Sequence, residues 1–231
     1  MKTLLAKLDN FWYHYKWHTI FIAFFLAVFT ICAVQCAQKE DPDASILYSG
    51  PTVLSADQKQ ELGDLFSKCL EKDGNADGRK LVSLTDVVIL SDEQIAEKKA
   101  EAEAEGDMLY YDPTQRTVMF DQVRSWLIGG EMMLAVLDPF VYEKFEDTGL
   151  FVPLADIFEE VPEAAYDPYA VRVNELDFFR YHTALYEACD GAVMCLIRPT
   201  AISSLSGNAS EEWYEAHAVL FRNIVEFSVS D

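Results

Sequence analysis

The chain is 231 residues long and 51% hydrophobic, with 18 basic against 39 acidic side chains, a net charge of −21. That length suits one domain plus an appendage, and the acidity argues against a nucleic-acid partner, which needs basic grooves that neutralise phosphate. It also argues against the main domain lying on an anionic membrane surface, while the apolar fraction supplies enough core that high charge means a self-repelling surface and not disorder.

The charge is unevenly placed. Residues 1–18 hold three lysines and one acid, residues 19–38 carry no formal charge, and residues 39–231 hold 15 basic and 38 acidic side chains, a net of −23. Between Lys16 and Lys39 lie 22 residues without a formal charge. As a helix at about 1.5 Å per residue they reach roughly 33 Å, enough for a hydrocarbon core about 30 Å thick. From Ile20 to Val34 the block shows no polar stripe at helical spacing, as an amphipathic core helix would. Trp12, Tyr13, Tyr15 and Trp17 precede it, where amphipathic rings favour the headgroup level.

Lysines before the block and Glu40, Asp41 and Asp43 after it put the N-terminal segment in the cytoplasm and the rest outside, by the positive-inside rule. A cleaved signal peptide or a lipoprotein is the rival. Cleavage after Ala37 would leave Gln35 at the −3 position, and Ile31 and Gln35 precede Cys32 and Cys36 where a lipoprotein needs a small residue. The predicted organisation is a cytoplasmic segment over 1–18, a transmembrane helix over 19–38, a linker over 39–44 and an extracytoplasmic domain over 45–231.

Within that domain apolar runs alternate with helical patterns. "SILYSGP" (45–51) reads as a buried strand. Ser55 opens a helix, with Gln58 completing a capping box. "LVSLTDVVIL" (81–90) is β-rich, and Ser91 or Asp92 caps a charged helix that Gly106 ends. Val118, Val123, Trp126 and Leu127 predict a further helix stopped at Gly129-Gly130. "MMLAVLD" (132–138) is a short strand, followed by a helix to Thr148 with Gly149 as its cap. "AVMCLIRP" (192–199) is another strand, 203–210 a loop, and "EEWYEAHAVLFRNIVEF" (211–227) a closing amphipathic helix. Strands alternating with helices predict an α/β fold: one mainly parallel sheet with flanking helices.

The stretch "WLIGGEMMLAVLDPFVYEKFEDTGLFVPL" (126–154) resembles the lobe pattern of bacterial extracellular solute-binding proteins, in which a strand leaves a Gly-acid turn, leads to a helix and exits through "PL". The N-terminus resembles that of single-pass bacterial membrane proteins of unknown function that begin with an aromatic "FWYxYKWH" segment. The resemblance implies a solute-binding-like lobe over about 45–155. About 193 exterior residues supply little more than one lobe, so it carries over no ligand contact.

Several constellations are candidates for chemistry. "DGNADG" (73–78) copies the start of a calcium loop, with Asp73, Asn75 and Asp77 at its first, third and fifth positions, but the closing acid position is Leu84. "DTG" (147–149) copies an aspartic-protease tripeptide, yet it follows helical residues, so Gly149 reads as a cap. His14 and His18 belong to the membrane interface, and His182 and His217 lack paired-ligand spacing. Cys189 and Cys195 lie close enough for an extracytoplasmic disulfide, with buried free thiols the alternative. Asn208, in "NAS", would accept a glycan only in a eukaryotic secretory pathway. Tyr166, Tyr169, Phe178, Phe179 and Tyr181 form an aromatic group that would line a ligand or partner surface, or pack the core.

No cofactor is expected and no catalytic set stands out. The leading expectation is a non-enzymatic binding domain of a bacterial envelope, held to the lipid bilayer through residues 19–38, with a small-molecule ligand or an envelope protein as partner and no nucleic acid. The alternatives are a carboxylate-dependent envelope hydrolase and a structural subunit of a membrane complex.

Overall fold

The computed structural model describes residues 2–37, 42–206 and 210–228. It divides into two units, Met1–Asp41 and Pro42–Asp231. The first is one helix, α1 (Lys2–Ala37). Among the described residues it carries the one segment long and apolar enough to cross a membrane, Tyr15–Val34, none of it buried by protein. Phe21, Phe25 and Phe29 are 60–72% exposed on it. Length and composition of this kind serve an anchor and a signal sequence alike.

The second unit begins inside the predicted linker, because Asp43 is already buried and Ala44 starts the first strand. In chain order it contains β1 (Ala44–Gly50), α2 (Ala56–Ser67), β2 (Val82–Val88), α3 (Asp92–Ala104), α4 (Pro113–Gly129), β3 (Leu134–Leu137) and α5 (Pro139–Glu143). There follow β4 (Ala170–Arg172), α6 (Asp177–Tyr181), α7 (Thr183–Ala188), β5 (Val193–Leu196), α8 (Ala201–Ser206) and α9 (Glu211–Val225).

The strands form one five-stranded sheet in the order β2-β1-β3-β5-β4. β1 pairs in parallel with β2 and β3, while β5 is antiparallel to both β3 and β4. The sheet is therefore mixed, which corrects the expectation of a mainly parallel one. An apolar run such as Val193–Leu196 looks the same in either direction, and its sense is set by its connection. Two helices of five and six residues, α6 and α7, bring the chain back from β4 as a short antiparallel return.

Helices cover both faces. Ile46, Tyr48, Leu134, Val136, Met194 and Leu196 pack on one side, against Leu62 and Phe66 of α2 and Leu220, Phe221 and Ile224 of α9. Leu47, Ala135, Leu137, Val193 and Cys195 pack on the other, against Val123 and Leu127 of α4 and Val141 and Tyr142 of α5. β1 is buried throughout, as expected of a strand covered on both faces.

Local signals in the sequence act where they stand. Ser55 with Gln58 and Ser91 with Gln94 form complete capping boxes at α2 and α3. Gly130 closes α4 at φ 74°, and Gly149, at φ 71°, closes the 3-10 turn Glu146–Thr148. The helix expected from 139 to 148 is thus a short helix followed by a separate tight turn. Residues 203–206, expected in a loop, form the end of α8, whose first turn is held by Thr200 and Ser203 hydroxyls.

Candidate functional site

Two side chains fix the rim of the sheet from which a cleft opens. Asp43 is 5% exposed. Its Oδ1 accepts the backbone N–H groups of Gly74 (2.7 Å) and Asn75 (3.2 Å), and its Oδ2 that of Leu81 (2.8 Å). One buried carboxylate thereby staples the 70–81 connection to the start of β1. Three backbone donors fix the orientation of this carboxylate.

His217 of α9 is fully buried and bridges in the same direction. Its Nε2 accepts the Ser45 N–H of β1 at 2.9 Å, while Nδ1 lies 2.7 Å from the Trp213 carbonyl. An acceptor at Nε2 leaves the proton on Nδ1, where it is donated to that carbonyl. Burial pushes the imidazole down to about 4, against the raising effect of both backbone partners. The ring is a neutral latch that fixes α9 beneath β1.

Between α9 and the chain leaving α2 lies a cleft of about 510 Å³. Leu70, Ala216 and Val219 supply apolar lining. Its walls carry six carboxylates, those of Asp43, Glu71, Asp73, Glu211, Glu212 and Glu215, against one cation, Lys72. Ser210 caps α9 by accepting the Trp213 N–H at 3.1 Å. Acids in the first turn of α9 oppose the positive end of its dipole, so local helix chemistry and the charge of the cleft agree. Asp73 Oδ1, in the wall, is shielded from solvent and accepts no hydrogen bond among the described residues.

A second cavity of about 480 Å³ adjoins the first, sharing Leu70 and Glu71. Phe178, His182, Asn223 and Phe227 line it, with Lys68 and Glu226 of opposite charge. The His182 ring stands edge-on to Phe178 at 5.0 Å between centroids and to Tyr181 at 5.1 Å. Desolvation and then the Lys68 charge lower its proton affinity. Asn223 donates to the Cys69 carbonyl at 2.9 Å, tying α9 to the C-terminal end of α2. The two cavities make one groove along α9, acidic at one end and aromatic at the other.

The residues singled out from sequence distribute differently. Asp73 Oδ2 accepts Gly78 N–H, Asn75 Oδ1 accepts Asp77 N–H and Asp77 Oδ1 accepts Arg79 N–H. The calcium-loop candidate is thus corrected: these side chains hold their own turn, and no group of three or more potential ligands converges among the described residues. Cys189 and Cys195 are free, and they lie on opposite faces of the sheet. Alternation along β5 places Cys195 with Val193 and away from Met194, where Cys189 packs. The disulfide candidate is therefore corrected to two buried thiols.

The aromatic group is also divided. Phe178 and Phe179 are core residues of the α2–α9 face, 1% and 0% exposed. Tyr166 and Tyr169 pack on the opposite face. There Tyr142 donates to Asp167 Oδ2 at 2.6 Å, stacks on Phe151 and meets the Tyr166 edge. Only Tyr181, 61% exposed, stands at the surface beside the groove. Asn208 lies outside the described residues. The groove itself draws on residues from 43 to 227, and the one sequence signal for it is the density of acids at 211–215 beside the turn-rich 71–74 segment.

No family model, curated protein or solved structure matches the chain. The solute-binding-lobe resemblance thus stands on the residues of 126–154 alone.

Proposed function

We propose that this is a membrane-anchored binding domain of a bacterial envelope, held outside the cytoplasm by α1, with the groove between α2 and α9 as its binding surface. The observation that carries this reading is the groove: a concave apolar floor with a charged rim. The elements around it are fixed by the buried Asp43 and His217 bridges. Sites of this kind are largely pre-formed, with apolar lining and a few placed polar groups. The basic residues before Tyr15–Val34 and the acidic ones after it support an inside N-terminus.

A photo-reactive residue at Val219, in the groove, should yield a defined adduct in intact membranes. The same residue at Glu101, on the exposed α3, should not. Absence of any adduct from the groove refutes its role as the binding surface. Protease added outside spheroplasts should digest the domain and spare about forty N-terminal residues; full protection overturns the orientation, and a mature chain lacking α1 overturns the anchor.

A further inference from the structure

We infer that the groove takes a cationic segment of another protein, laid along α9 with a lysine or arginine in the acidic compartment and an apolar side chain in the aromatic one. This rests on the groove being a binding surface and adds the chemistry of its occupant. The acidic compartment pairs an apolar lining from Leu70, Ala216 and Val219 with carboxylates around it. That is the complement of a lysine or arginine, whose methylene stem covers apolar surface while its charged head seeks anions.

The charge also selects against other occupants. An acidic peptide, or a second copy of a domain that carries a net −22 over residues 42–231, meets like charge at the rim, and like-charge juxtaposition in an interface is costly. In the aromatic compartment Lys68 and Glu226 offset one another, leaving Phe178, His182 and Phe227 to receive an apolar group. Leu70 and Glu71 line both cavities, so the two compartments adjoin and one segment can reach each from outside. Glu215 and Asn223 line the two compartments eight residues apart on α9. That is about 12 Å along the helix, which an extended strand covers in about four residues. The occupant therefore carries its basic and apolar anchors about four residues apart.

The test uses the full chain in phosphatidylcholine nanodiscs, a zwitterionic surface that does not itself attract cations. The probe is a fluorescent synthetic peptide with two lysines and a phenylalanine four residues on. Saturable binding is expected, weakening by roughly tenfold for the double variant Glu212→Gln/Glu215→Gln. The charge-matched double variant Glu101→Gln/Glu103→Gln, on α3, should stay within about twofold, a gap of roughly 1 kcal/mol between the two variants. Equal losses in both variants would reduce the attraction to diffuse electrostatics and overturn the inference. So would equal binding of a peptide with norleucine in place of lysine. If the lysine peptide fails while Val219 still crosslinks a partner in membranes, the cationic class is wrong and the groove reading stands; if Val219 captures nothing, the groove reading itself has failed.

Discussion

Acidification should weaken the domain through His217 before its carboxylates protonate. In the folded chain the imidazole is neutral, with a pKa near 4; unfolded, it returns to about 6.5. A depressed folded value means that the unfolded state binds the proton first. The stabilisation is therefore complete above about pH 6.5 and is lost progressively as pH falls toward 4. Between pH 7.5 and pH 5 the loss is about 2 kcal/mol, and over the whole shift about 3 kcal/mol, at 1.36 kcal/mol per unit. Urea unfolding followed by near-ultraviolet circular dichroism at a series of pH values measures it. The Trp213 indole lies 4.5 Å from the imidazole and gives a local fluorescence signal. His182, whose proton affinity is also lowered, contributes with the same sign, so the comparison must be with His217→Gln. That variant should be weaker at pH 7.5, because Ser45 N–H and the Trp213 carbonyl lose their shared partner. Its stability should then fall less steeply down to pH 5. Parallel curves for the two proteins would refute the assignment of the neutral latch.

Asp43→Asn turns an amide donor toward one of three backbone N–H groups and removes the charge they share. It should cost about 2–3 kcal/mol in urea unfolding, and no loss would mean that the 70–81 connection is held elsewhere. Gly63→Ala places a Cβ 2.6 Å from the Val82 carbonyl oxygen, a backbone atom at the α2–β2 contact; thermal unfolding should show about 1–3 kcal/mol of strain. Tyr142→Phe leaves Asp167 Oδ2 without its hydroxyl donor and should cost about 1–2 kcal/mol, read as a lowered midpoint in chemical denaturation. Cys189 and Cys195, whose thiols are pushed up by burial, should resist maleimide in the native protein and react in urea. An intact mass showing a Cys189–Cys195 bridge would contradict their separation by the sheet.

The elements that were legible are those whose code is local. Ser55-Gln58 and Ser91-Gln94 satisfy orphan N–H groups within four residues of chain, so the boxes form wherever the helices do. The apolar runs at 45–50, 82–88, 134–137 and 193–196 are strands because each is too short and too β-rich for a buried helix. β4 escaped notice because three residues, Ala170–Arg172, display no period. The helices α6 and α7 are too short to stand without tertiary packing. Strand direction was not legible, since nothing in "VMCL" distinguishes parallel from antiparallel. The groove was illegible for the same reason the sequence left the aromatic group open between surface and core: burial is a property of the assembled layers, and Phe178 and Tyr181, on one short helix, end up in core and solvent respectively.

The position of the groove departs from the usual ligand site of an open α/β sheet. In open α/β sheets ligands usually bind outside the carboxyl ends of the strands, where the order of connection reverses. Here those ends are occupied by the protein's own polar groups. Asp138, just beyond β3, accepts Gln94 Nε2 and Phe140 N–H, and the Tyr48 hydroxyl, donating to the Ala188 carbonyl, fills the space where a side chain at Gly50 would stand. The concave surface with unspent charge lies at the amino end of β1, beside Asp43. One wall of the site is α9 and the other the chain leaving α2. Both walls come from the unit Pro42–Asp231.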